Sequence, residues 1–259
     1  MTRRTVVAAW LAVAAAGCGH AIFVPPASPG AATDASAAWA QATASCRSAK
    51  TYAAALRVSG RAGNQKIFRL GLDTAVTPDE IYMSATFAGQ SIFRLAGSSS
   101  QATLWLRREQ RVVKAPAGEI IEAILGLSMP PGRLLSILSG CGTRSLNVTA
   151  AKSHDKLIEI QTADTRVFLK QQGTVWRTHY AEADGFGIQF LWQTSPLPSK
   201  IWIRSAPGRD PAASLDVSID DPTVTDPIPP SVFTLPAAAA KAEPMTIEEL
   251  RSGAWRKVP

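Results

Sequence analysis

Cysteine and histidine side chains could bind a metal, but their positions in this chain do not form a ligand set. The three cysteines and three histidines are scattered: Cys18, Cys46, Cys141, His20, His154 and His179. Structural zinc sites usually take paired ligands that lie a few residues apart, and no Cys-X-X-Cys pair occurs here. We therefore expect no metal and no other cofactor.

Nucleophilic catalysis has no better support in the sequence. The pattern Gly-X-Ser-X-Gly that positions a hydrolase serine is absent, and Ser98–Ser100 is typical of a turn. His154 and Asp155 are adjacent in a predicted hairpin, with no nucleophile evident beside them. Asp220, Asp221 and Asp226 lack the spacing of a calcium loop and precede prolines. These observations predict a protein that is not an enzyme.

The thiol of Cys18 ends a segment that is typical of a secretory signal peptide. Arg3 and Arg4 precede the unbroken apolar run from Val6 to Ala16. This run is shorter than the roughly 20 residues that a spanning helix needs. The alternative is an ordinary signal peptide in which the cysteine stands by chance.

The segment from Ala15 to Cys18 resembles the lipobox of bacterial lipoproteins. The resemblance implies cleavage after residue 17 and lipid, with acyl chains such as palmitate, on Cys18. Gly19 is not the aspartate that typically retains a lipoprotein in the inner membrane. The resemblance therefore implies an outer-membrane location, lipid-anchored and facing the periplasm. Residues 18–33 are rich in Ala, Pro, Ser and Gly, which predicts a flexible tether.

The formal net charge is +7, and removal of Arg3 and Arg4 with the signal peptide leaves about +5. The largest basic cluster comprises Arg107, Arg108, Arg111 and Lys114. No dense Lys/Arg run exists, so we expect no nucleic-acid partner. We expect the cluster to face solvent or anionic head groups.

Cys46 and Cys141 remain once Cys18 carries lipid. In an oxidising periplasm, two remaining cysteines commonly form a disulfide. In the chain-entropy model, closing a loop of this length stabilises by up to about 4 to 5 kcal/mol. Two buried free thiols are the alternative.

Alternation of apolar and polar residues with period two dominates the sequence from residue 52 to residue 220. Tight turn signals separate the strands, which predicts one antiparallel meander of about 11–12 strands with one apolar face. An Ala-rich helix is predicted over 34–50. Two short apolar helices interrupt the meander within 117–139, which we name the lid. We expect a domain over 34–236 and a tail over 237–259 with a short helix.

A mainly β sheet of this size can curl into an incomplete half-barrel whose interior is too wide for its own side chains to fill. The lid would then cover an apolar cavity. Strand parity predicts these lining residues: Phe68, Leu70, Met83, Leu104, Phe190 and Trp192. The lid would contribute Ile121, Ile124, Leu125, Leu134, Leu135 and Leu138. The alternative is that the helices complete a dry core.

The run from Leu125 to Gly140, with its Leu-Gly, its prolines and a leucine-rich turn ending in Gly, resembles the outer-membrane lipoprotein receptor LolB. Gly60-Arg61 and the strand pair Glu80–Phe87 and Ser91–Leu95 match as well. A closing segment like Pro230–Pro236 is frequent in the LolA/LolB-like superfamily. The match covers about a third of the chain in detail and the remainder in strand pattern.

What the resemblance implies is lipoprotein handling without covalent chemistry. The partners would be acyl chains of lipoproteins or lipids, a periplasmic LolA-like carrier, and the membrane through the N-terminal lipid. LolB uses a leucine before a glycine to deliver cargo to the membrane, and Phe87 and Ala88 stand at that loop before Gly89. We expect a monomer. The alternatives are a carrier of another apolar molecule and a structural lipoprotein that scaffolds an envelope complex.

Overall fold

A computed structural model describes Phe23 and the ranges 30–31, 34–62, 65–87, 90–143, 145–206, Gly208, 212–224 and 227–253. The signal peptide, Cys18 and Ala88 lie outside the described residues, and so do most of the tether and the last six residues of the tail.

Most of the described chain forms a single antiparallel sheet. Its strands are β1 (Gly30–Ala31), β2 (Tyr52–Ala62), β3 (Gln65–Val76), β4 (Glu80–Phe87), β5 (Gln90–Ser98), β6 (Ala102–Leu106), β7 (Arg111–Ala115), β8 (Val148–His154), β9 (Leu157–Thr162), β10 (Arg166–Gln172), β11 (Val175–Ala183), β12 (Phe186–Trp192), β13 (Pro198–Ser205), β14 (Ala213–Thr223) and β15 (Glu243–Pro244). The predicted mainly β, open half-barrel architecture is confirmed. The strand count exceeds the predicted 11–12, because the prediction did not include β7 or the two-residue strands β1 and β15.

The strand order places the two halves of the meander side by side. It runs β1-β8-β9-β10-β11-β12-β13-β14-β2-β3-β4-β5-β6-β7-β15. The early strand β2 therefore pairs with the late strand β14 in the middle of the sheet. The edges of the long strands are β7 and β8, and the connection between them carries the lid.

One face of the sheet is apolar along nearly its whole width. Leu56 and Val58 of β2 pair with Leu72 and Leu70 of β3, and all four side chains point to the same side. This inner face continues through every long strand of the sheet and forms one hydrophobic cluster with the helices. Polar residues such as Arg57 occupy the alternate positions and face outward.

A bulge reverses the predicted face of one residue. The β2–β3 register shifts within Val58–Gly60, and Arg69 has a positive φ of 39°. Leu70 therefore packs against the core, while Phe68 is 62% exposed with the Lys66 ammonium 4.5 Å from its ring centre. The assignment of Phe68 to the inner face is wrong, because the extra residue shifts the alternation.

The helices lie on the inner side of the sheet. The predicted N-terminal helix consists of α1 (Ala35–Ala42) and α2 (Ala44–Ser48). The lid consists of α3 (Ala117–Leu125) and α4 (Pro131–Leu138), close to its predicted limits. In α1, Trp39 is buried and its indole N–H donates to the Leu146 carbonyl at 2.9 Å.

A disulfide joins Cys46 of α2 to Cys141, with a Cα–Cα distance of 6.0 Å. The predicted pairing is confirmed. The bond ties the N-terminal helices to the end of the lid across 95 positions of sequence.

The C-terminal segment lies across the outer face near β6 and β7. Leu235 and Ala239 pack against Trp105 and Val112, outside the main core. The strand β15 pairs in parallel with β7. The last helix, α5 (Ile247–Ser252), begins with a capping box in which the side chain of Thr246 accepts from the Glu249 N–H. No helix among the described residues is long and apolar enough to cross a membrane.

Candidate functional site

The lid packs its apolar side chains onto the inner face of the sheet. Helix α3 follows Pro116 and ends at Gly126, whose φ of 70° allows the left-handed C-cap. Helix α4 has Pro131 in its first turn, where a missing N–H costs nothing. Helix α3 contacts β6 and β7, and α4 contacts β3, so the two helices cover part of the inner face.

The structure brings together most of the residues that were predicted to line a cavity. Met83, Leu104, Phe190 and Trp192 are buried in the main cluster, and Leu70 is half-buried against it. From the lid, the buried members of the same cluster are Ile121, Leu134, Leu135 and Leu138, while Ile124 and Leu125 are partly buried against it. The apolar sheet face and the apolar lid face are therefore in direct contact.

Side chains fill most of the space between lid and sheet in this conformation. A small cavity of about 20 Å³ lies where Leu127, Met129 and Ile137 approach Phe186 and Ile188. This volume has room for about one water molecule and for no acyl chain. Occupation by a lipid would therefore require the lid to move.

Polar contacts at one end of α4 fix the lid to the sheet. Arg133 is buried, and its Nε lies 3.8 Å from Oδ2 of Asp184 in the turn between β11 and β12. Burial raises the pKa of Asp164, but hydrogen bonds from Thr162 and Thr143 and the charge of Arg133 lower it overall. The sequence did not predict the contact between Arg133 and Asp184, because a single arginine in an apolar helix is expected to face solvent.

A second cluster of buried aromatic side chains lies on the outer face of the sheet. Register places Phe168, Tyr180 and Trp202 in one outward-facing row, with Gln189 between Tyr180 and Trp202. The ring of Phe23, from the N-terminal segment, packs on Phe168 and Tyr180 at centroid distances of 5.2 and 4.8 Å. A cleft of about 590 Å³ runs beside these rings.

Charged side chains surround this outer cluster. His154 Nε2 lies 2.6 Å from Oε2 of Glu159, and both residues are buried. The guanidinium of Arg166 lies 3.5 Å from Glu159 and from Glu182, and 4.9 Å from the Phe168 ring centre. Burial, followed by the charge of Glu182, raises the pKa of Tyr180 to about 12. The tyrosine is therefore a neutral hydroxyl at physiological pH.

Three sequence-predicted positions are not placed by the structure. Cys18 and Ala88 lie outside the described residues, and only the backbone of Phe87, at the end of β4, is described. No group of three or more potential metal ligands occurs within the part of the chain that the structure describes.

Comparison with solved structures finds weak likenesses over most of the chain. A DUF1329 family protein from Desulfovibrio piger has a TM-score of 0.48 and 8% identity, covering 77% of this chain and 96% of its own. A LolA superfamily protein from Nitrosomonas europaea has a TM-score of 0.46 and 9% identity, covering 75% and 98%. The Mycobacterium tuberculosis lipoprotein LppX has a TM-score of 0.31 and 11% identity, covering 73% and 97%.

TM-scores below 0.5 at such identities carry no inference about what this chain binds. No protein-family model matches the sequence, and no curated protein matches it either.

Proposed function

We propose that this protein is an outer-membrane lipoprotein that takes acyl chains of lipoproteins or lipids between its sheet and its lid. The observation that carries the proposal is the apolar inner face of the sheet, which the lid covers. The inner face of an open sheet is continuously apolar, and two short helices from the connection between its edges cover it. Such a surface can be uncovered without breaking the strand pairing beneath it.

The magnitudes allow an acyl chain to enter between the lid and the sheet. Burial of a methylene gains about 0.8 kcal/mol, so a chain of about fourteen methylenes gains about 11 kcal/mol. Withdrawal of four leucine-sized lid side chains from the sheet costs about 1.5 to 3 kcal/mol each. The two quantities are similar, so a ligand that contacts both the sheet and the apolar face of the lid can offset their separation. Binding of this kind needs no covalent step, and an enzymatic role is not part of the proposal.

The ends of the lid contain the conformational freedom that such a movement needs. Gly126 and Ser128–Pro130 separate α3 from α4, and Gly140 and Gly142 follow α4 with positive φ values of 88° and 70°. The disulfide at Cys141 keeps this end of the lid attached to α2. We therefore expect the lid to swing away from the sheet while its C-terminal end stays in place.

A structural lipoprotein that scaffolds an envelope complex is the second candidate. The close packing of lid and sheet favours it, because the cavity between Leu127, Met129 and the sheet measures about 20 Å³. A scaffold would retain a dry interior and copurify with a stable protein partner. A carrier would copurify with acyl chains.

Native mass spectrometry of the protein purified from its own membrane tests the proposal directly. Added mass from non-covalent acyl chains is the expected result. A quantitative assay would measure binding of a fluorescent fatty acid to Leu135→Glu, which puts charge on the lid. The matched control is Leu191→Glu, because Leu191 is 41% exposed on the outer face of β12.

We expect Leu135→Glu to weaken binding at least tenfold while the β-sheet circular dichroism persists, and Leu191→Glu to bind like the wild type. If Leu135→Glu unfolds the protein, Leu135→Ala provides the milder test. Wild-type protein that neither copurifies with acyl chains nor binds them in solution would overturn the carrier proposal and favour the scaffold.

A further inference from the structure

Phe23 lies on the outer face of the sheet, far along the chain from the residues that it touches. Its ring is tilted against Phe168 and Tyr180 and stands edge-on to His179, with a centroid distance of 5.2 Å to the histidine. Aromatic rings prefer tilted and edge-to-face contacts of this kind, which stabilise beyond the area that they bury. One side chain of the N-terminal segment is thus held by three rings of β10 and β11.

The receiving surface is shaped for this contact. The β10–β11 register shifts between Phe168 and Leu169, so that consecutive residues His179 and Tyr180 both reach Phe23 on the outer side. On the neighbouring strand, a Cβ at Gly187 would collide with the Tyr180 hydroxyl. The absence of a side chain at Gly187 leaves room for the Tyr180 ring, which contacts Phe23.

A second contact fixes the same segment a few residues later. Gly30 and Ala31 pair with Ser153 and Lys152 on the edge strand β8. The N-terminal segment is therefore attached to the β8–β11 side of the sheet at two points. This departs from the flexible tether predicted over 18–33, since two parts of that range have fixed neighbours.

The short distance between Phe23 and Cys18 gives this attachment a consequence. They are five positions apart in sequence, so the chain spans at most about 18 Å between the two Cα atoms. A lipid on Cys18 would therefore hold the outer face of β10 and β11 within that distance of the bilayer surface.

Three exposed lysines lie on this side of the sheet, where Arg166 pairs with the carboxylates of Glu159 and Glu182. Lys152 faces outward from β8, Lys170 faces outward from β10 two residues beyond Phe168, and Lys156 lies in the β8–β9 turn. All three are exposed. Cations close to a membrane surface are attracted by its anionic lipids.

We propose that Phe23 is an internal anchor that orients the protein, so that the outer face of β8–β11 lies against anionic lipid head groups. The proposal rests on the lipid at Cys18 that the proposed function includes, and it is independent of acyl binding beneath the lid. The contacts of Phe23 with the aromatic cluster determine which face of the sheet lies against the membrane, and the three lysines stabilise that orientation.

Fluorescence quenching in vesicles tests the orientation. The full lipidated protein, with its native disulfide oxidised, would carry a fluorophore at Ala150→Cys or at Ala55→Cys. Both alanines are exposed and face outward, on β8 and β2 respectively, seven strands apart in the sheet. The vesicles would contain phosphatidylglycerol, phosphatidylethanolamine and a lipid quencher with a shallow nitroxide.

We expect at least twofold stronger quenching at position 150 than at position 55, and near equality of the two positions after Phe23→Ala. Neutral vesicles should reduce the difference, since the lysines would lose their partner. Mass analysis of the N-terminal peptide checks the lipid separately. Equal quenching at both positions of a protein whose Cys18 carries lipid would overturn the proposal, and so would a difference that Phe23→Ala leaves unchanged.

Failure of this test is separable from failure of the carrier proposal. Acyl chains beneath the lid are detected by native mass spectrometry whatever the orientation on the vesicle. An N-terminal peptide without lipid would remove the anchor, and with it this orientation, but would leave the interior free to bind acyl chains.

Discussion

The guanidinium of Arg133 and the carboxylate of Asp184 form an ion pair at 3.8 Å that joins the lid helix α4 to the β11–β12 turn. The arginine side chain is 5% exposed and the aspartate side chain is 54% exposed. The pair thus crosses the boundary between the lid and the rim of the sheet. It is a charged contact between two surfaces that otherwise meet through apolar side chains.

We expect Asp184→Asn to destabilise the closed lid by about 1 kcal/mol, because it leaves a buried arginine with less compensation. Asparagine retains the positive φ of 53° that this position has. The matched control is Asp220→Asn, which breaks the exposed pair with Arg57 and should cost under about 0.5 kcal/mol. Urea unfolding measures both. If both variants lose the same free energy of unfolding, the Arg133–Asp184 pair stabilises the protein no more than an exposed ion pair does.

Reduction of the Cys46–Cys141 disulfide should lower stability by about 2 to 4 kcal/mol, since it releases a large loop in the unfolded chain. Thermal unfolding of the oxidised and reduced forms measures the difference. Non-reducing peptide mapping verifies the starting state. A reduced protein as stable as the oxidised one would show that α2 and the lid hold together without the bond.

Gly140→Ala should destabilise the protein by about 1 to 3 kcal/mol. Gly140 has a φ of 88°, and an added Cβ would meet the Trp192 ring. The control is Gly173→Ala, because Gly173 has a φ of 61° but open space around the missing side chain. Its cost should be limited to about 1 kcal/mol of backbone strain. Denaturant midpoints of the two variants separate the steric contribution from the backbone contribution.

The pH dependence of stability should carry a contribution from His179. Burial, followed by the charge of Lys170, lowers the pKa of this histidine below the ordinary value of about 6.5. The folded state therefore binds the proton less well than the unfolded state, and stability falls as the pH drops below about 6.5. His179→Gln should flatten the stability profile between pH 8 and pH 5. An unchanged profile would show that the imidazole titrates alike in both states.

The periodic part of the fold was accessible from the sequence. Alternation at Leu56 and Val58, and again at Ile188 and Phe190, gives the inner face of the strands, because a half-buried strand repeats every two residues. The two lid helices were recognisable for a similar reason, with prolines at their start and at the break between them. The disulfide followed from the number of cysteines and the expected compartment.

The features that the sequence concealed are those that depend on local irregularity or on distant parts of the chain. The bulge at Arg69 moves the side chain of Phe68 from the inner to the outer face of the sheet. No residue type at that point predicts the bulge. Phe23 belongs to a segment whose composition indicates a linker. Its ring nevertheless packs against Phe168 and Tyr180, which are about 150 positions away in sequence. The tightness of the lid depends on the summed volume of many side chains, which alternation does not report.

The pairing of β14 with β2 has a consequence for how the chain folds. Arg57 and Asp220, on these neighbouring strands, are 163 positions apart in sequence. Loop closure of that length costs about 4.5 kcal/mol of chain entropy beyond a constant. The centre of the sheet therefore cannot form until nearly the whole domain is available, and topologies rich in such distant contacts fold slowly. Until then the edges of β2 and β14 that face each other in the sheet stay unpaired, and an unpaired strand edge is a template for pairing with another chain.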